Sequence, residues 1–219
     1  MIYFEKSLIA PISLEEEKSK SSGTYNTEEV IERLKEDFHN KCYICEQKEP
    51  LSINIEHFIA HKGNIDLKFS WENLYLSCGH CNNTKLAKYD EILNCTSIDD
   101  NVEMALYYKC NPFPMEKTEI KVRVDSLKAR NTKELIEKTF NGEHTPQKKL
   151  ESANLRNKLI HEIRDFQNLL FDYFENNKNE IFKIKIEEHL SSRSAFTAFK
   201  RWIIRDNEQL VQEFGYCIA

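Results

Sequence analysis

The chain has 219 residues, 31 Lys and Arg against 36 Asp and Glu, a net charge of -5 and five glycines. A chain of this length buries about 70% of the surface its unfolded form exposes, enough for one good-sized core or for a small module with a second layer. The negative balance argues against a free-standing nucleic-acid binder. Gly23, Gly63, Gly79, Gly142 and Gly215 stand too far apart for a glycine-rich phosphate cradle, which argues against a nucleotide-hydrolysing fold.

Glu5 and Lys6 interrupt the first stretch where a secretory segment would be apolar, and the longest apolar run is Met104 to Tyr108. No membrane span is expected, and the setting expected is cytoplasmic. Seven cysteines is an odd number, and four stand in tight pairs, which in a cytosolic chain favours metal over disulfides. Cys95, Cys110 and Cys217 are left as small packing groups.

In chain order, residues 1 to about 24 contain Pro11, the acidic run Glu15 to Glu17 and SKSSG, and read as an extended arm with a flexible break. Such an arm is either a loosely packed terminus or a docking element. NTEEVIERLKEDF then offers a cap, early acidic residues and Val30, Ile31, Leu34 and Phe38 at helical spacing, so a helix begins near Asn26 or Thr27. Leu51, Ile53 and Ile55 alternate with Ser52, Asn54 and Glu56, the period of a half-buried strand ending at Glu56-His57. ENLYLSC returns as a second strand. A helix beginning near Asn82, with Leu86, Tyr89 and Leu93 on one side, completes a ββα unit.

Beyond it, VEMALYYK and IKVRV can pair as a hairpin across Pro112 and Pro114. Helices are expected over Thr132 to Phe140, from Leu155 onward and over Ala195 to Phe214. Leu155, Leu159, Ile163, Phe166, Leu170 and Tyr173 form a sustained apolar seam, read as core or as partner interface. The cations of KTEIKVRVDSLKAR read as a solvated face, with a DNA track as the sharper alternative.

The densest chemistry lies between Cys42 and Lys85. Cys42, Cys45, Cys78 and Cys81 have the spacing of a closed, structural zinc site with no position left for substrate. His80, inside CGHC, reads as a knuckle residue. A one-metal nuclease needs oxygen ligands, a base and something to hold the base. Glu56 is a hard carboxylate suited to Mg²⁺ or Mn²⁺, and Asn82 offers a second oxygen. His57 is neutral often enough near pH 7 to accept a proton. Glu56 and His57 point to opposite faces of an ideal strand, so both reach one phosphate only if the strand bends there. Asn82 is expected to open a helix whose N–H groups favour a phosphate, with Lys85 and Lys88 on one face toward it. His61 reads as a loop residue facing solvent.

The order Glu-His, then Asn-Leu-x-Leu, then CxxC-Asn-x-x-Lys over residues 42 to 85 resembles the HNH endonuclease (ββα-metal) family, in its branch with a four-cysteine zinc site. The resemblance implies His57 as general base, Glu56 and Asn82 as ligands of the catalytic ion, and Asn73 as the residue that braces the hairpin and orients the base. Lys85 falls where the family often keeps a basic residue. Glu56 stands where Asp is more frequent, and Asn82 where the final His is.

INIEHFIAHK, the N-terminal arm and the segment KELIEKTFNGEHTPQKKLESANLRNKLIHEI together resemble the HNH subunits of Septu anti-phage systems, the PtuB proteins, also found beside some retrons. That resemblance implies an ABC-type ATPase partner, PtuA-like, and a nuclease acting on invading nucleic acid, DNA before RNA. The expected fold is mainly α, with a small ββα-metal module and an extra β-hairpin. Its organisation is an arm over 1-25, the zinc-stapled nuclease module over 26-100 and a mostly helical region over 101-219. A non-catalytic zinc-knuckle adaptor that binds nucleic acid or protein is the alternative.

Overall fold

The structure, a computed structural model, describes residues 1–218. It is mainly helical with two separate two-stranded antiparallel sheets. The first residues are packed, not loose: Met1, Ile2 and Phe4 are buried, and the Phe4 N–H donates to the Cys95 carbonyl at 2.8 Å. Helix α1 (Ile12–Lys18) lies inside the stretch read as an extended arm.

Helix α2 (Glu28–Asp37) starts where its cap predicts. The Thr27 hydroxyl accepts the Val30 N–H, Glu28 and Glu29 occupy the positive end, and Val30 and Leu34 face the core. Strands β1 (Ile53–His57) and β2 (Leu74–Cys78) pair antiparallel with Glu56 opposite Tyr75 and His57 opposite Leu74. All five residues of β2 are buried, between α2 and helix α4 (Gly79–Lys85). The short helix α3 (Ile65–Lys68) sits in the connection between the strands.

The burial of β1 departs from the expected alternation: of its apolar set, only Ile55 packs against the core, half-buried. Leu51, just before the strand, and Ile53 are exposed, whereas Glu56 is buried. The face of β1 that carries Glu56 is the one α4 covers, and a lysine on α4 offsets the carboxylate charge, so polarity did not decide which side went inside.

Helix α4 also differs from expectation. It starts at Gly79, three residues before Asn82, because the Cys78 sulfur accepts the Cys81 N–H and caps the first turn. It stops at Lys85, where Leu86 takes a positive φ of 47°. Leu86 is exposed, and Tyr89 and Leu93 are buried in the irregular chain that follows, not on a continued helix face.

After a single helical turn α5 (Val102–Ala105), strands β3 (Leu106–Lys109) and β4 (Glu119–Val122) form the expected hairpin, shorter at its start because Val102 to Ala105 coil. Helix α6 (Leu127–Asn141) contains the predicted stretch and begins five residues earlier, capped by Ser126. Helix α7 (Pro146–Glu175) is capped by Thr145 and carries Pro146 in its first turn, where a missing N–H costs nothing.

The seam of α7 is core. Leu155, Leu159 and Ile163 join the cluster that includes the module, while Phe166, Leu170 and Tyr173 pack with residues of helices α8 (Glu180–Leu190), α9 (Thr197–Arg205) and α10 (Glu208–Phe214). The single helix expected over Ala195 to Phe214 is two, because Asp206 ends α9 and the Asn207 side chain caps α10. Among the described residues no helix is long and apolar enough to cross a membrane.

Candidate active site

The four paired cysteines converge. Cys42 and Cys45 lie on the turn after α2, where the Glu46 N–H donates back to the Cys42 carbonyl at 2.8 Å, while Cys78 ends β2 and Cys81 stands in the first turn of α4. All four are buried and their sulfurs lie within 4.8 Å of one another, Cys45 and Cys78 at 3.9 Å. Tetrahedral zinc with bonds of about 2.3 Å spaces its sulfurs about 3.8 Å apart, so the donor set fits the ion. Burial pushes the Cys45 and Cys81 thiols well up, whereas at Cys42 hydrogen bonds from the other three overcome burial and hold the thiol low. Such a cluster, enclosed and shedding its protons only against burial, needs a cation to become fully ionised.

His80 stands outside this cluster. Its Nδ1 lies 2.8 Å from Glu151 on α7 and its Nε2 lies 2.8 Å from the Thr139 carbonyl on α6, so it ties the knuckle to the helical region.

Glu56 and Lys85 form an ion pair at 3.0 Å, with side chains 5% and 1% exposed. The Lys85 ammonium also donates to the His57 carbonyl at 3.2 Å. Glu56 Oε2 is enclosed and has no hydrogen-bond partner. Lys85 therefore does not face solvent as a nucleic-acid contact; burial on Glu56 takes it away from that role.

Burial pushes the Glu56 carboxyl from 4.5 up to about 7, against the pull of Lys85. Between those values the folded chain holds a proton that the unfolded chain has released. The stability Glu56 contributes is therefore full below about pH 4.5 and is lost as pH rises through about 7. The change is on the order of 3 kcal/mol. We expect the urea midpoint of the zinc-loaded chain to fall between pH 5 and 8 more steeply than that of Glu56→Gln. Equal slopes would remove the carboxyl from this account.

His57 leaves the strand end on the other side. Its Nε2 lies 3.0 Å from the Lys68 carbonyl at the end of α3. A carbonyl only accepts, so Nε2 carries the proton and Nδ1 is the free basic nitrogen of the neutral ring. The Tyr25 ring meets the imidazole edge-on at 4.6 Å and the His61 ring lies 4.7 Å away. Burial, helped by the neighbouring charges of His61, Lys85 and Lys68, lowers the His57 pKa and keeps the ring neutral at neutral pH. His61 is half-buried beside His57 and its Nδ1 accepts the Gly63 N–H at 3.2 Å, so it is not simply turned to solvent.

Asn73 stands just before β2 and ties down both α3 and the chain ahead of it. Its Oδ1 accepts the Ile59 N–H at 2.7 Å, and its Nδ2 donates to the Ile59 and Leu67 carbonyls at 2.9 and 3.1 Å. Leu67 adjoins the residue whose carbonyl holds His57. In Asn73→Ala those three backbone groups lose their partner, at about 1–3 kcal/mol for each one left unsatisfied. We expect a drop of at least about 2 kcal/mol in stability by urea unfolding. A change within about 0.5 kcal/mol would contradict the bracing role.

Asn82 occupies the second turn of α4, half-buried and three residues before Lys85, so the two share a helix face. It does not open the helix, and a two-turn helix whose first turn is spent on cysteines is not a phosphate seat. Lys88 lies beyond the break at Leu86, exposed and 3.2 Å from Glu134, so it shares no face with Lys85.

Three residues near the site have no signal in the local sequence pattern. Tyr25 comes from the N-terminal stretch, and Lys68 offers its backbone while its ammonium donates to the Gly23 carbonyl at 3.0 Å. Asp90 accepts the Ala60 N–H at 3.0 Å and pairs with Lys62 at 3.5 Å.

The basic stretch after the site is a solvated face. Lys117, Lys121 and Lys128 pair with Glu143, Glu119 and Asp100 at 3.0, 2.7 and 3.1 Å, Arg130 pairs with Asp125, and Arg123 lies over the Trp202 ring.

No curated protein is similar enough to the chain to match it. Residues 42–88, the span that holds the cysteine cluster, the Glu56–Lys85 pair, His57 and Asn73, match the family model described as HNH endonuclease, so this segment of the chain is an HNH endonuclease domain.

Proposed function

We propose that the chain is a metal-dependent endonuclease that hydrolyses phosphodiester bonds, with His57 as the base. The observation that carries this reading is the state of His57. Its Nε2 is pinned as a donor to Lys68, its Nδ1 is left basic, and its proton affinity is lowered so that the ring is neutral at working pH.

This reading requires a divalent ion, and Glu56 Oε2, a buried carboxylate oxygen without a partner on the opposite side of β1 from His57, is the atom left to bind it. Glu56 and Asn82 would hold it. A bound Mg²⁺ or Mn²⁺ supplies positive charge for the phosphate and the leaving oxygen. His57 Nδ1 takes the proton of the attacking water. Tyr25 and the Lys68 carbonyl hold the imidazole plane, and Asn73 fixes the loop that carries that carbonyl. Lys88 remains as the exposed cation at the module's edge for the nucleic-acid backbone.

The likeness of residues 53–62 and 133–163 to the HNH subunits of Septu systems supports a finer reading. The chain is the effector of an anti-phage complex with an ABC-type ATPase, acting in the cytoplasm on invading DNA in preference to RNA. The negative charge of the chain fits an effector whose grip on nucleic acid is shared with another subunit.

One observation favours a second reading, a zinc-knuckle adaptor that does not cut. The carboxylate meant for the ion is enclosed and already holds a lysine. Purified chain, alone and with its ATPase, is incubated with Mg²⁺ or Mn²⁺ and with double-stranded DNA, single-stranded DNA or RNA. Metal-dependent fragments are the expected result. Intact nucleic acid in every arm selects the adaptor.

A further inference from the structure

His61 is the imidazole beside the base that the hydrolytic step leaves unused. The turn His61-Lys62-Gly63-Asn64 closes with the Asn64 N–H donating to the His61 carbonyl at 2.8 Å, and its central residues take positive φ of 47° and 87°, as in a type I′ turn. That backbone brings the Gly63 N–H to the His61 ring, where it donates to Nδ1 at 3.2 Å. An N–H only donates, so Nδ1 is unprotonated and the proton of the ring sits on Nε2. Nε2 has no hydrogen-bond partner among the described residues, and the side chain is half-buried. The chain just ahead is held: Asn73 accepts the Ile59 N–H at 2.7 Å and Asp90 the Ala60 N–H at 3.0 Å.

The backbone thus engages opposite nitrogens of the two rings. His57 spends its Nε2 proton on the Lys68 carbonyl and keeps a basic Nδ1, whereas His61 spends its Nδ1 lone pair on Gly63 and keeps an Nε2–H. The ring centres are 4.7 Å apart, with their planes inclined at 57°. A phosphodiester whose attacking water lies within about 2.6–3.2 Å of His57 is therefore within reach of His61 as well. From this geometry we infer that His61 is a second catalytic residue, whose Nε2–H donates a hydrogen bond to an oxygen of the scissile phosphate and stabilises the charge that gathers there. The inference rests on the nuclease reading. His61 transfers no proton. The bond from the water oxygen to phosphorus forms and the bond from phosphorus to the leaving oxygen breaks; the leaving oxygen takes a proton from solvent, and His57 returns its own there. A neutral imidazole suits this part because it polarises an oxygen without competing with the base for a proton.

Two substitutions separate the donor from the ring. His61→Phe keeps a flat ring against His57 and has no donor, whereas His61→Gln gives up the ring and keeps an amide N–H at the reach of Nε2. Both are made in the full zinc-loaded chain, with zinc content and circular dichroism checking the fold. Cleavage of double-stranded DNA, single-stranded DNA and RNA is followed as for wild type. We expect kcat of His61→Phe to fall about 10²–10³-fold, the usual worth of one such donor, with KM changed far less. His61→Gln is expected to cut at least about tenfold faster than His61→Phe. A His61→Phe chain within about threefold of wild type overturns the inference and leaves the nuclease reading in place. So does His61→Gln slower than His61→Phe, which makes the ring a packing piece, or a loss confined to KM. Absence of cleavage by wild type in every arm overturns the inference together with the nuclease reading.

Should either variant fail to fold, wild type still decides the matter. Nitrogen-15 spectra of histidine-labelled protein at the pH of the assay are expected to show the His61 proton on Nε2 alone. A proton on Nδ1 removes the Gly63 bond that fixes the ring and overturns the inference.

Discussion

Serine at Cys42 or at Cys78 is expected to cost the chain its zinc and to unfold the segment 42–88. The four sulfurs come from two places far apart in the chain, the turn after α2 and the junction of β2 with α4. A structural zinc in such a site contributes roughly 10–16 kcal/mol to folding, as much as the roughly 5–15 kcal/mol net stability of a whole domain. A serine hydroxyl does not ionise to replace a thiolate, and it leaves three buried sulfurs without a shared cation. The expected result is loss of the one zinc per chain by elemental analysis and loss of the cooperative thermal transition of the module. A strong chelator should reproduce it in wild type. A Cys42→Ser chain that melts within a few degrees of wild type would show that packing of β2 between α2 and α4, not metal, holds the module.

His57→Ala is expected to lower the rate of cleavage about 10²–10⁴-fold, the usual worth of a positioned base. The fold should survive. The imidazole is half-buried, and its removal deprives the Lys68 carbonyl of one donor at about 1 kcal/mol. Zinc content should stay at one per chain, and binding of Mg²⁺ or Mn²⁺ should change little because Glu56 and Asn82 are untouched. The rate is read against Asn73→Ala, which leaves the ring in place and loosens its support, and is expected to fall by less. If His57→Ala cuts at the wild-type rate while folded, His57 is an ordinary half-buried histidine and the base lies elsewhere.

The parts of this protein that its sequence determined are those written in short-range chemistry. Two Cys-x-x-Cys pairs announce a closed tetrahedron because two residues is the reach of a knuckle, and Thr27 starts α2 where its hydroxyl can take a backbone N–H. The α7 seam from Leu155 to Tyr173 was legible for the same reason, since a repeat near 3.6 turns one face inward along that whole stretch. Asn73 was legible through its motif, and its three hydrogen bonds account for the position.

Only the tertiary structure decided which side of β1 would be buried and what each charge would meet. Alternation along residues 51–56 favours Leu51 and Ile53 as the inner face, yet α4 covers the face carrying Glu56, because the cysteine cluster sets where that helix begins. Lys85 then lies under the carboxylate instead of on the surface, and Tyr25 and the Lys68 carbonyl reach His57 from segments with no pattern linking them to it. Local periodicity reports the preferences of one segment, whereas the pairing of a buried charge depends on which other segment arrives, and in this module the metal-binding cysteines make that choice.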